Sequence, residues 1–97
     1  MKKKIYGIIK DATQVQQFNK KNGETNVKCV LHLVAPGDDP HPEELAVTVC
    51  GDLTLYAAVV GSPVEVEYIV RVFPFMKNGK TMYGNDVYAT AIKPWQP

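Results

Sequence analysis

The sequence has no long apolar run, few cysteines and few histidines, and each shortage removes a class of protein. No apolar stretch reaches the ~20 residues that a helix needs to cross a bilayer. Met1-Lys2-Lys3-Lys4 leads into an alternating segment rather than the apolar centre of a secretory leader. The expectation is a cytoplasmic protein with no membrane partner. Two cysteines, Cys29 and Cys50, are too few for a disulfide framework or a metal motif. Each falls within a predicted strand, where a free thiol serves as a small apolar filler. The two histidines, His32 and His41, belong to no Ser/His/Asp ordering, and there is no phosphate-cradling glycine loop and no zinc spacing. His41 stands among carboxylates, but in a loop broken by Pro36, Pro40 and Pro42 that does not promise converging ligands. No catalytic residue, metal, cofactor or small-molecule substrate is expected, and the chain does not read as an enzyme.

What is present fits one small domain. A chain of 97 residues buries roughly 60–65% of the surface its unfolded form exposes. Its apolar content, 45%, is that of a folded protein. The domain is taken as residues 1–97, with an ordered body over about 4–93 and a tail at 94–97. The net charge of +1 conceals an uneven distribution. Residues 1–34 carry seven lysines against Asp11 and Glu24; residues 35–67 carry seven acids and no lysine or arginine; residues 68–97 carry Arg71, Lys77, Lys80 and Lys93 against Asp86. Basic ends around an acidic middle would give a folded molecule one cationic side, which steers a polyanion.

The longest patterned stretch runs from Val64 to Lys93. Val64, Val66, Tyr68, Val70 and Val72 recur at a period of two, the mark of a half-buried strand. Asn78-Gly79 is a strong hairpin signal, and Asn85 to Ile92 alternates again. The expected hairpin has a tip over Pro74–Gly84 carrying Lys77 and Lys80 beside Phe75 and Tyr83. Upstream, a first strand is expected from about Lys4 to Phe18, with Gly7 marking a bulge or bend. A basic turn, Asn19 to Glu24, leads to a second strand over about Thr25–Ala35. That strand shows Val27, Cys29, Leu31 and Leu33 on one face and Lys28, Val30, His32 and Val34 on the other. The acidic 36–44 loop leads to a third strand, Leu45–Cys50. A short helix over Leu53–Val60 follows, with Asp52 as cap and Leu53, Leu55, Tyr56 and Val59 or Val60 as its apolar side. Two prolines are expected to keep the tail, with Trp95, out of the sheet.

Three strands, a helix and two strands in so few residues favour a sheet that closes on itself and so removes its edges. The expected class is all-β, a five-stranded Greek-key barrel with one short helix between strands three and four. At Ala46-Val47-Thr48-Val49-Cys50-Gly51-Asp52, then Gly61, Val64-Glu65-Val66 and the Lys-Asn-Gly-Lys hairpin before Tyr83, the chain resembles short single-domain OB-fold proteins related to bacterial and phage single-stranded DNA-binding proteins. The resemblance implies single-stranded DNA, or RNA, as partner. In such folds the strand lies across strands two and three between the loops joining strands one to two and four to five. Those loops here pair lysines with aromatics. Lys20, Lys21, Lys77 and Lys80 would meet phosphates; Phe18, Phe75 and Tyr83 would be stacking platforms; Lys28 and His32 project between them; and Arg71, Phe73 and Tyr88, together with Tyr6, border the groove. Stacking and phosphate contacts imply binding that largely ignores sequence. This arrangement requires the two lysine-bearing turns to converge at the mouth of one curled sheet.

A second reading is a protein-interaction or assembly module, since a fold does not fix a function. The low net charge and the apolar Phe73-Pro74-Phe75-Met76 patch favour it, with a homo-oligomer as the product. The chain stops at Gln96-Pro97 without the long acidic tail by which replicative single-stranded DNA-binding proteins recruit partners, so the resemblance points to the compact forms of phages and mobile elements.

Overall fold

The computed structural model describes residues 2–96. Six strands occur in order: β1 Lys3–Ala12, β2 Gln16–Asn19, β3 Thr25–Val34, β4 Glu44–Cys50, β5 Pro63–Lys77 and β6 Lys80–Pro94, with a 3₁₀ helix Gly51–Ala58 between β4 and β5. The sheet runs β1-β5-β6-β4-β3-β2, and a further pairing of β1 with β3 closes it. The result is an OB-fold barrel in which β1 and β2 together serve as the first strand. All pairings are antiparallel except β4 with β6, which run parallel and meet at Thr48 and Tyr88.

Closure depends on how β1 changes partner. Lys3 to Ile8 pair with β5, and Ile8 to Ala12 pair with β3. Gly7 sits at the crossing, where an added Cβ would lie 3.2 Å from the Val34 carbonyl oxygen and 3.5 Å from Leu33 Cβ. The absent side chain is what lets the two strands approach. The bulge itself lies further on, between Ile9 and Asp11, and not at Gly7 as the sequence suggests. The first strand then breaks at Thr13, whose hydroxyl accepts from the Val30 N–H at 2.8 Å while its own N–H donates to the Val30 carbonyl at 2.9 Å. A side chain replaces one rung of the ladder there, which is why one expected strand becomes two.

The core follows from alternation. Ile9, Cys29, Leu31, Leu33, Val47, Val49, Val64 and Val66 are buried. Cys29 faces Val49, Leu31 faces Val47, and Ile9 faces Leu33 across the ladders. Each side chain so buried stabilises the fold by about 1.5–3 kcal/mol relative to exposure. Tyr56 and Tyr68 pack against this cluster. Cys29 is the expected filler, and burial pushes its thiol upward in pKa. Cys50 lies half-buried on the outer face, opposite Lys28.

Three expectations need correction. The helix is 3₁₀, begins two residues before Leu53 and ends at Ala58. Gly51 at φ +61° turns the chain out of β4, a conformation that suits glycine, and Thr54 Oγ1, rather than Asp52, ties the first turn by donating to the Gly51 carbonyl at 2.7 Å. With three residues per turn, Leu53 and Tyr56 share the inward side, while Leu55 and Val60 are exposed. Second, the tail does not leave the sheet at Lys93: Lys93 pairs with Glu65 and Pro94 with Val64. Trp95 then donates its N–H to the Pro63 carbonyl at 3.2 Å and lays its ring 5.1 Å from that of Tyr6.

Third, the hairpin has almost no loop. Asn78 and Gly79 both have positive φ, 53° and 77°, so the turn twists with the strands and pairing continues to Lys77 opposite Lys80. The stretch expected as a tip is therefore a two-stranded ribbon. Pro74 is tolerated because β1 covers β5 only as far as Tyr68, leaving an edge that lacks no ladder bond when an N–H is missing.

Candidate nucleic-acid interface

Register decides which side chains share a surface, since directly paired residues and alternate residues along a strand point the same way. On β3 the outward set is Lys28, Val30 and His32; on β4 it is Cys50, Thr48 and Ala46. Tyr88 lies beside Thr48 and joins that set. From Tyr88 the surface continues onto the ribbon through the pairs Arg71–Asp86, Phe73–Gly84, Phe75–Met82 and Lys77–Lys80. Phe18, on β2, pairs with Asn26 at the other border, and Lys28 Nζ stands 5.3 Å from its ring centroid. One continuous outer face thus runs diagonally from Phe18 and Lys28, across Thr48 and Tyr88, to the ribbon tip.

The aromatic groups on this face are held in place. Phe73 and Phe75 are each 40% exposed, with ring centroids 5.9 Å apart. The distal end of the Phe73 ring reaches over Gly84, where an added Cβ would stand 2.8 Å from Cε1 and 3.0 Å from Cε2. A strand glycine covered by a cross-strand aromatic ring gives that ring a seat no other residue would leave open. The Tyr88 hydroxyl donates to Asp86 Oδ2 at 3.3 Å, and its pKa is raised first by burial and then by the Asp86 charge. A cavity of about 400 Å³ opens beside Tyr88, between the start of β2 and β6.

Not every expected residue joins this surface. Tyr83 pairs with Pro74 and points to the reverse of the ribbon with Val72 and Met76; it is 71% exposed but is not a neighbour of the Phe73–Phe75 pair. His32 is on the face, but its Nε2–H donates to Glu44 Oε1 at 2.8 Å, and Asp11 lies opposite it on β1. Two acids offset whatever charge it would offer a phosphate. Lys20 and Lys21 occupy the turn beyond Thr25, whereas the ribbon tip lies at the other end of the strand direction. From Tyr88 to Lys80 the ribbon reaches about 26 Å at ~3.3 Å per residue. The two lysine turns therefore do not converge on one mouth; they bound a long face from its two ends. Gln16, Thr48 and Asp86 line the cavity and were not expected from the sequence. Thr48 was legible as the polar position between Val47 and Val49.

Charge divides the molecule in the same way. Lys2 pairs with Glu67 at 3.2 Å, and Lys4 and Lys93 pair with Glu65 at 3.9 and 3.0 Å. These pairs sit at the barrel end of β5 and β6. Lys93, then Tyr6, hydrogen-bonds Glu65 and lowers its pKa; the same carboxylate raises those of Lys93 and Tyr6. Among the described residues none of Lys20, Lys21, Lys28, Arg71, Lys77 and Lys80 has an ionic partner within 4.0 Å. Among the described residues Lys3 and Lys10, on β1 away from this face, also lack an ionic partner, so the unpaired cations are concentrated at the outer face and its two ends without being confined to them. No three or more His, Cys, Asp or Glu side chains among the described residues are grouped to hold a metal ion, and no helix among them is long and apolar enough to cross a membrane.

A closed OB-fold barrel carrying an open, cation- and aromatic-bearing face is the class these features define. No protein-family model and no curated protein sequence matches the chain. Among solved structures it is similar to the small single-stranded DNA-binding protein of Streptomyces coelicolor, with 21% identity, 97% of this chain and 93% of that chain covered, and a TM-score of 0.56. It is also similar to the mitochondrial single-stranded DNA-binding protein of S. cerevisiae, with 15% identity, the same coverage and a TM-score of 0.61. These likenesses, over nearly the whole chain, establish the OB fold.

Proposed function

We propose that this protein binds single-stranded DNA along its outer face, largely without regard to sequence, and does so without catalysis. The observation that carries the reading is the alternation of unpaired cations with aromatic rings along one surface: half-buried Phe18 with Lys28, half-buried Tyr88 with Arg71, and the exposed Phe73–Phe75 pair before Lys77 and Lys80. A single strand is an extended ligand, so platforms spread along a diagonal suit it better than a compact pocket would. Each stacked base is worth ~1–3 kcal/mol, and phosphate contacts add a salt-sensitive term. The two solved structures named above are of single-stranded DNA-binding proteins, which supports the reading at the level of the fold. RNA would meet the same rings and cations, and a cytoplasmic location belongs to the same proposal. Titration of labelled oligo-dT at low and high salt, beside duplex DNA, tests it. Tight, salt-weakened binding of the single strand is expected; no binding at low salt, or binding indifferent to salt, overturns it.

A second reading, assembly with another copy of the chain, is favoured by the reverse of the ribbon. Val70, Val72, Pro74, Met76 and Tyr83 form an uncharged strip there, with Val72 at 64% and Met76 at 68% exposure. The Phe73–Met76 patch expected from sequence is split between the two faces, so the strip and not Phe75 would form the contact. Size exclusion with light scattering should then show an oligomer that Met76→Lys disrupts and Phe75→Ala leaves intact.

A further inference from the structure

Asp86 is the only acid after Glu67 in the chain, and it stands on the face where a polyanion would lie. It borders the cavity of about 400 Å³ together with Gln16, Lys28, Val30, Thr48 and Tyr88. Arg71 lies directly across the ribbon from Asp86 and offsets part of its charge, but a carboxylate that only accepts hydrogen bonds is still better matched by a base edge that donates them than by a phosphate. Lys28, on the other side of the cavity, is placed to take the phosphate instead. We infer that the cavity is a nucleobase subsite in which Asp86 selects bases that donate hydrogen bonds, favouring guanine over thymine. The inference rests on the single-stranded DNA reading and adds one point of discrimination to otherwise indifferent binding.

The geometry supplies each part. Tyr88 offers a half-buried ring for the base to stack on, and its hydroxyl fixes Asp86 by donating to Oδ2 at 3.3 Å. Oδ1 has no hydrogen-bond partner among the described residues. An ionised carboxylate only accepts. Guanine presents a ring N–H and an amino group side by side, matching the two carboxylate oxygens. Adenine and cytosine present one amino group each. Thymine presents a single N–H between two carbonyl oxygens, which the carboxylate repels. A well-matched pair of this kind discriminates by roughly fivefold to a hundredfold. Val30 and Thr48 give the cavity floor one apolar and one small polar group, which accept any base and leave the choice to Asp86.

The test compares a fluorescein-labelled thymine oligomer with the same oligomer carrying interspersed guanines, by anisotropy at one fixed salt concentration. The wild-type chain should bind the guanine-bearing oligomer at least about fivefold more tightly, with inosine in place of guanine falling between. Asp86→Ala should remove the difference between the two oligomers, since the acceptor that distinguishes them has left the cavity. Equal wild-type affinity for the two oligomers overturns the inference while leaving the single-strand reading intact, and so does a preference that survives in Asp86→Ala. Failure to bind either oligomer overturns both.

Discussion

Replacing Gly84 with alanine should separate binding from stability. The new Cβ would stand 2.8 Å from Phe73 Cε1 and 3.0 Å from Cε2, and closer still to Cζ. Ordinary carbon contacts lie at about 3.5–4.0 Å, so the ring must lift by roughly 1 Å or swing away. The three heavy atoms nearest the methyl group all belong to that one exposed ring. The backbone at Gly84 does not require a positive φ, and alanine in a strand interior is favoured over glycine by roughly 0.5–1 kcal/mol. The expected change in unfolding free energy is therefore small, within about 1 kcal/mol either way. Binding should suffer more. If Phe73 stacks a base, displacing it forfeits part of the ~1–3 kcal/mol that such stacking supplies, or up to about a hundredfold in Kd. Phe73→Ala sets the upper bound. The decisive measurement is the double-mutant cycle, with Kd for oligo-dT from anisotropy and stability from urea melts. In the Phe73→Ala background the Gly84 substitution should have no effect on Kd, because no ring remains to be moved. A Gly84→Ala protein that binds as the wild type does, while Phe73→Ala binds weakly, would refute the claim that the glycine seats the ring. Equal losses in both backgrounds would refute it too.

Removing both Lys77 and Lys80 should lower the slope of log Kd against log salt by about 0.7 for each phosphate that they neutralise; an unchanged slope would mean the tip does not touch the backbone of the strand. Glu65 has a pKa below its ordinary value of 4.5 because Lys93 and Tyr6 hydrogen-bond its charged form. Its contribution to stability is therefore present above that ordinary value and lost as pH falls through the lowered one. Thermal melts between about pH 6 and pH 3 should show the wild type losing more stability than Glu65→Gln, and parallel curves would show that the ion pairs do not matter. Lys93 is raised by the same carboxylate above its ordinary value of 10.5, so its share is present below that value and disappears as pH rises through the elevated one. Leu31 is fully buried opposite Val47, and Leu31→Ala should cost about 2–5 kcal/mol in urea unfolding. A cost under about 1 kcal/mol would mean the barrel interior collapses around the gap.

The barrel was legible where alternation met turn chemistry. Cys29, Leu31 and Leu33 could be assigned to one face, and Leu45–Cys50 to a strand, from period two alone, and Asn78-Gly79 located the hairpin. What the sequence concealed were features set by partners distant in the chain. Pro74 reads as a strand breaker unless β5 is known to be uncovered beyond Tyr68, and that depends on where β1 turns away. The 3₁₀ winding of Gly51–Ala58 depends on the room left between β4 and β5, which no local propensity records. Tyr83 looks like a companion of Phe75 because both flank the turn, yet a register that places Pro74 opposite Tyr83 and Met82 opposite Phe75 sends them to different faces. Asp86 is easily passed over, because a lone acid among lysines reads as a minor correction to charge. Its two-residue spacing from Tyr88 puts both on one face of β6, but their place beside the cavity can be seen only once β6 is laid against β4.

The ribbon beyond Arg71 has a bearing on motion. Every residue from Val70 to Tyr83 is exposed, so this arm adds nothing to the apolar interior that holds the barrel closed. Two strands without a layer beneath them are marginal by themselves, and they can part and re-pair without disturbing the ring of strands below. Amide exchange along Val72–Met82 should run many times faster than along β3 and β4, and it should slow when nucleic acid is added. If the outer face holds a strand as proposed, affinity would include the free energy of ordering this arm as well as that of the interactions it makes.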